Sequence, residues 1–313
     1  MLSETWNEFR HCEVRKTNLF RDLSRIMLSL SQSPLPRIES WTLDSNGILQ
    51  LSNRPLTLRL QQLENEGIST NIDRSLTYSA TDAYYLDLLS CHDSRIRHQP
   101  NSLNDESDGR AQMANLTIMR SLLSHFTNRE FRHGPLILRL TDLHQSNIFV
   151  DDDWNIKCLI DLEWACSLPV ETMRPPYWLT GCPADDLVGQ NIDSFSKAQH
   201  EFMEVFEEEE KSFPPGNNVP LYRTNIMRKR KGWKIGNLWY FQALDSSKGL
   251  YNIFLDHIQP IFAPSHNIDP DFSRIVSEYW AVGVNDIISA KLQDKDVYER
   301  MLRQKFENVS SNS

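Results

Sequence analysis

Two short segments carry side chains that could do chemistry together: Leu140-Thr-Asp-Leu-His-Gln-Ser-Asn147 and Cys158-Leu-Ile-Asp-Leu-Glu-Trp164. Asp142 follows one short apolar run, Asn147 stands just before a second, and Asp161 ends a third. If these runs are paired strands, their ends bring two carboxylates and one amide into a small volume. Such a trio suits phosphoryl transfer. One carboxylate steers or accepts the proton of an attacking hydroxyl. The second carboxylate and the amide oxygen hold Mg²⁺, a hard cation that takes oxygen ligands.

The elements that must position these groups are legible in outline. Pro135–Leu140, Ile148–Val150 and Ile156–Ile160 read as strands, the last two joined by the polar turn Asp151-Asp-Asp-Trp-Asn155. Upstream, Leu19, Phe20, Leu23, Ile26, Met27 and Leu30 recur at helical spacing, and Pro34 and Pro36 end that helix. Asn46-Gly47 between Ile38–Leu43 and Ile48–Leu51 signals a hairpin. A helical stretch runs from Thr81 to Cys91, a polar loop covers 97–110, and a second long helix carries Met113 to Phe126. Beyond Pro169 the spacing predicts helices over Lys197–Lys211, Leu238–Phe262 and Asp271–Phe306, with a linker at 212–220. The expectation is an α+β chain, mainly helical, in one domain with short β-hairpins.

The spacing Asp-x-x-x-x-Asn, then Asp on a following strand end, matches the kinase catalytic loop and its metal-binding aspartate. The segment resembles the aminoglycoside phosphotransferase-like group of small-molecule kinases, above all a branch common in filamentous fungi. The match rests on Asp142, His144, Ser146, Asn147, Ile160 and Asp161, within Pro135–Trp164. Leu-Thr-Asp-Leu-His144 and Pro-Pro-Tyr-Trp-Leu179 also look like that branch. The resemblance implies that Asp142 is the catalytic base, that Asn147 and Asp161 are Mg²⁺ ligands, and that ATP is the co-substrate. It also implies a protein-kinase-like fold with a catalytic core near 134–186, of which the whole chain would be the C-terminal lobe. Two departures stand out. Many relatives carry His where this chain has Leu140. Upstream of Asp142 the only glycines are Gly47, Gly67, Gly109 and Gly134, and the only lysine is Lys16. The phosphate-covering loop and strand lysine of an N-terminal nucleotide lobe are thus expected to be missing. A non-catalytic binding or interaction module on the same lobe is therefore the alternative. The acceptor is expected to be a small molecule with a hydroxyl group. Relatives act on aminoglycosides, choline, homoserine and sugars.

Other readings of the same residues are weaker. Asp142-Leu-His144 also fits a metallophosphatase, but of its further ligands only Asp161 and Asp185-Asp186 could stand in. Asp151–Asn155 has calcium-loop oxygens, yet Ile156 and Leu162 occupy the positions that need Gly and Glu. Glu207–Glu210 could attract a cationic substrate but reads better as a solvated helix face, and the basic run Arg228–Lys231, which resembles a nuclear-import or polyanion patch, reads better as a solvated loop or helix end. Trp164, Trp178, Trp233 and Trp239 could box a quaternary amine, with buried packing the ordinary alternative. The net charge of −9 disfavours nucleic acid, no apolar run reaches membrane-span length, and five widely spaced cysteines fit a reducing compartment. A cytoplasmic protein without nucleic-acid or membrane partners is expected.

Overall fold

The computed structural model describes residues 1–182, 187–214, 223–229, 237–246, 248–263 and 270–310. In chain order, helices α1 (Leu2–Phe9) and α2 (Glu13–Leu30) precede a hairpin, β1 (Glu39–Leu43) and β2 (Leu49–Asn53). Helices α3 (Leu58–Asn65), α4 (Thr81–His98), α5 (Glu106–Ser121) and α6 (Leu123–Phe126) follow. Then come β3 (Leu136–Leu140), β4 (Ile148–Val150), β5 (Ile156–Leu159) and β6 (Ala165–Pro169). The remaining elements are α7 (Gln190–Ser212), α8 (Arg223–Lys229), α9 (Asn237–Asp245), α10 (Leu250–Ile253), α11 (Gln259–Phe262), α12 (Pro270–Ser277) and α13 (Val284–Ser310). The class is α+β and mainly helical. The chain divides into two compact units, one of Met1–Leu58, Ile72–Tyr84 and Phe126–Gln242, the other of Arg59–Asn71, Tyr85–His125 and Ala243–Ser313.

The first unit holds all six strands of the described residues. Four form an antiparallel sheet in the order β2-β1-β6-β3, and β4 pairs with β5 apart from it. The β1–β2 turn forms where sequence chemistry requires it. Gly47 takes φ +74°, which glycine reaches without a Cβ penalty. The Asp44 carboxylate accepts the backbone N–H of Asn46 at 2.8 Å and of Ile48 at 2.9 Å, closing the turn. Helix α2 buries Leu19, Phe20, Leu23 and Leu28. Phe20 meets Phe202 of α7 edge-on at 5.4 Å between centroids. The core continues through Trp6 of α1, which stacks on Trp154 at 5.4 Å and meets Trp178 edge-on at 5.4 Å.

The second unit is helical. Asp93 of α4 pairs with Arg120 of α5 and accepts the Trp280 indole N–H at 2.6 Å, while the Arg97 guanidinium lies 4.4 Å from a Trp280 ring centroid. Gly109 of α5 lets Leu103 approach, since a Cβ there would lie 2.9 Å from its Cδ1.

Several boundaries differ from the expectation. Helix α4 extends to His98 and α5 begins at Glu106, so the loop is shorter than 97–110. The Asp105 carboxylate caps α5 by accepting the Asp108 N–H at 2.9 Å, and the polar residues that read as loop form its first turn. The helix expected over Leu238–Phe262 breaks after Asp245 and resumes at Leu250 with a π-helical turn, Phe254–Ile258. Pro260, which has no N–H to give, stands two residues after the end of that turn. The long final helix is interrupted before Val284, where Gly283 takes φ +75°. Strand β6 was not anticipated: it is buried at all five positions, so no alternation marks it. Among the described residues, no helix is long and apolar enough to cross a membrane.

Candidate active site

Asp142 sits in the loop that leaves the C-terminal end of β3, and Asp161 follows β5. Two backbone links draw these ends together. Beside Asp142, Thr141 donates to the Trp164 carbonyl from both its N–H, at 3.2 Å, and its hydroxyl, at 2.8 Å. Trp164 is the last residue of the 3₁₀ turn Leu162–Trp164, which has Asp161 at its N-cap. The β4–β5 ladder, with Ile148 opposite Leu159, extends one step further through the Ile160 N–H, which donates to the Asn147 carbonyl at 3.1 Å. As a result Asp142 and Asp161 line one small recess, together with Thr141, Leu143, Ile160 and Trp164.

Asn147 closes the loop from within. Its side-chain amide donates to the Asp142 backbone carbonyl at 2.9 Å and to the Asp142 carboxylate at 3.1 Å. Both partners are acceptors, which fixes the amide nitrogen toward Asp142 and turns the amide oxygen away from it. That oxygen accepts from the Ser146 hydroxyl at 3.3 Å. Asn147 is buried, so its donors need these partners. Asp161 is exposed and takes φ +56°, ψ +51°, the left-handed region that a non-glycine residue occupies at a cost. Such strained positions concentrate at functional sites.

Aromatic residues brace the loop from outside. The Trp178 indole N–H donates to the Leu143 carbonyl at 2.8 Å, and the Gln145 side chain donates to the Trp178 carbonyl at 3.2 Å. His144 lies between Tyr177 and Trp178, 6.3 Å and 6.2 Å away by ring centroids, with Nδ1 3.5 Å from the Ser146 hydroxyl. Sequence reasoning missed the Trp6–Trp154–Trp178 cluster behind this clamp. Its one visible signal was Trp154, which reads as a surface turn residue but is buried.

The remaining candidates resolve into structural roles. Asp151 accepts the backbone N–H groups of Asp153, at 3.1 Å, and Asn155, at 2.9 Å. Lys157 pairs with it at 2.9 Å. The lysine contact, then the Asn155 N–H, push its carboxyl down to about 2. The segment is a hairpin turn. Glu209 pairs with Arg25 at 2.7 Å, and Glu210 accepts the backbone N–H groups of Arg223 and Thr224, capping α8. Trp178 and Trp239 are buried, Trp239 against Phe195, so the two do not frame an exposed aromatic box. Asp185, Asp186, Trp233 and the side chains of Arg228–Lys231 lie outside the described residues. Among the described residues, no three His, Cys, Asp or Glu side chains converge as a metal site.

A larger recess borders the same loop, lined by the C-terminal half of α2, by β3 and by residues 173–178. Comparison with protein-family models, curated proteins and solved structures finds no match to this chain.

Proposed function

We propose that this chain is an ATP- and Mg²⁺-dependent phosphotransferase built on a kinase-like catalytic lobe, with Asp142 as base and Asn147 and Asp161 as metal ligands. The observation that carries the reading is that Asp142 and Asp161 line one recess while the Asn147 side chain is bonded to Asp142, with the Thr141–Trp164 and Asn147–Ile160 links joining the two segments. The donor set fits Mg²⁺. It offers an exposed carboxylate on Asp161 and an amide oxygen on Asn147 turned away from Asp142. Two protein ligands suffice when phosphates and waters complete the octahedron. When bound, the ion neutralises charge on the transferring phosphoryl group.

In this reading Asp142 takes the proton of an acceptor hydroxyl. The acceptor oxygen bonds to the γ-phosphorus, the bond from that phosphorus to the bridging oxygen breaks, and ADP leaves. Asn147 holds Asp142 at both its backbone and its carboxylate, which fixes the base before substrate arrives. Lys16 does not supply the phosphate-pairing ammonium, because it pairs with Glu201 at 2.7 Å and Glu13 at 2.9 Å. Turnover by this chain alone is therefore expected to be slow, since phosphoryl transfer depends on electrostatic stabilisation of the phosphates.

Calorimetric titration with ATP and a non-hydrolysable analogue, with and without Mg²⁺, tests the reading. Mg²⁺-dependent binding that Asp161→Ala abolishes supports it. No binding up to millimolar nucleotide overturns it.

A second reading, a non-catalytic interaction module, is favoured by the β1–β2 hairpin, which exposes Leu43, Ile48 and Leu49. Absence of nucleotide binding together with a concentration-dependent molecular mass in sedimentation would select it.

A further inference from the structure

We propose that the larger recess beside the Asp142 loop is an acceptor site for a small hydroxyl-bearing molecule with an apolar body, neutral or anionic, and that it rejects polycations. The inference rests on the phosphotransferase reading, since it names that reaction's acceptor class, but the binding it predicts needs no nucleotide.

Position is the first argument. Leu140, Thr141 and Leu143 line both the larger recess and the small one that contains Asp142 and Asp161. The loop around Asp142 is thus the wall between the two. A molecule seated in the larger recess has its nearest edge at that wall, where the proposed base stands.

The lining is the second. Helix α2 contributes Ile26, Met27 and Leu30, and the segment 173–178 contributes Tyr177 and Trp178. The described polar lining side chains are Arg139, Thr141, Arg174 and the Tyr177 hydroxyl. A mostly apolar surface with few polar groups selects an apolar body and orients it at a few points. Pro175 and Pro176 have fixed φ, so this side of the recess is stiff and needs little ordering on binding.

Charge is the third. Arg139 is held in place by two bonds from its guanidinium to Thr172, 2.8 Å to the carbonyl and 2.6 Å to the hydroxyl. Guanidinium stays protonated at any working pH. A ligand here meets two arginines and, among the described lining residues, no carboxylate. An aminocyclitol or other polyamine would bring like charge and a strongly hydrated body to an apolar wall. An aryl or alkyl alcohol brings neither.

The test is calorimetric binding to the full chain without nucleotide, using naphthol, mandelate and kanamycin as probes. The two aryl probes should bind, and kanamycin should not. Leu30→Trp, which fills the recess, and Leu138→Gln, which makes its strand wall polar, should each weaken naphthol binding at least tenfold, with circular dichroism confirming the fold of whichever variant is scored. Kanamycin binding in preference to naphthol overturns the proposal. So does failure of both aryl probes at millimolar concentration, or unchanged naphthol affinity in a folded variant. The two readings fail separately. Naphthol binding without Mg²⁺-dependent nucleotide binding removes the phosphotransferase reading and keeps the recess as a binding site. The reverse result removes the acceptor class and keeps the reaction.

Discussion

The Asn147 amide grips Asp142 twice, at the backbone carbonyl (2.9 Å) and at the carboxylate (3.1 Å). The residue expected to hold a metal is therefore also the residue that fixes the expected base. Replacing it by leucine keeps the volume and leaves the part-buried Asp142 carbonyl without this partner. That should cost about 1–3 kcal/mol of stability. Asn147→Asp should be worse at neutral pH, because a second carboxylate would then face Asp142. One of the pair would take up a proton in acid, so the variant's deficit relative to wild type should shrink as pH falls. Urea denaturation of both variants across pH checks the two outcomes.

Asp161 holds a left-handed backbone, φ +56°. Glycine reaches that region without the Cβ penalty of about 1–2 kcal/mol, offset in part by its larger unfolded-state entropy. Asp161→Gly should therefore leave stability unchanged or raise it by up to about 1 kcal/mol, while removing the carboxylate that the proposed reaction needs. Asp161→Val should lower stability by about 1–2 kcal/mol, since a β-branched residue is least tolerant there. Thermal denaturation of both, beside Mg²⁺–nucleotide titration of the glycine variant, separates strain from function.

The Trp178 indole N–H supports the loop at the Leu143 carbonyl, 2.8 Å away, while its ring packs against Trp6. Trp178→Phe keeps most of the packing and removes the donor, so the expected loss in stability is about 1–2 kcal/mol. Trp6→Ala removes a buried ring and should cost about 3–5 kcal/mol. If the loop must be fixed for the proposed reaction, Trp178→Phe lowers the turnover number by more than its stability loss would suggest, with the acceptor KM little changed. Steady-state kinetics at a temperature where both proteins are fully folded is the check.

Much of this arrangement was legible in sequence because its signals are local. Asn46-Gly47 needs only its own turn, and the apolar spacing of Leu19–Leu30 needs only one helix. Asp142, Asn147 and Asp161 could be placed at strand ends because Leu136–Leu140, Ile148–Val150 and Ile156–Leu159 are short apolar runs separated by polar turns. What escaped depends on distant partners. Strand β6 is buried on both faces between β1 and β3, so Ala165–Pro169 shows no alternation. Trp154 follows three aspartates and reads as a turn tip, yet its indole N–H reaches the Thr5 hydroxyl of α1 at 3.1 Å. Helix breaks at Leu122 and before Leu250 carry neither glycine-proline pairs nor strong caps, so the periodicity ran through them.

In the second unit, His92 is fully buried on α4, with Nε2 3.1 Å from the Leu244 carbonyl, so that nitrogen carries the proton of the neutral ring. Burial, and then the nearby Arg95 and Arg120, outweigh that hydrogen bond and hold its pKa near 4, against an ordinary 6.5. Below about 6.5 the unfolded chain takes up a proton that the folded chain refuses until pH approaches 4. Over that window the unfolded state binds more protons, so stability falls as pH falls. At pH 7 the contribution is fully present. By pH 4 the loss attributable to this ring reaches about 3 kcal/mol, from the size of the shift. His92→Gln keeps an N–H donor for Leu244 without a titrating ring. Its stability, measured by urea denaturation from pH 7 to pH 4, should therefore fall less steeply than that of the wild type. Parallel pH profiles for the two proteins would show that another group carries the acid sensitivity.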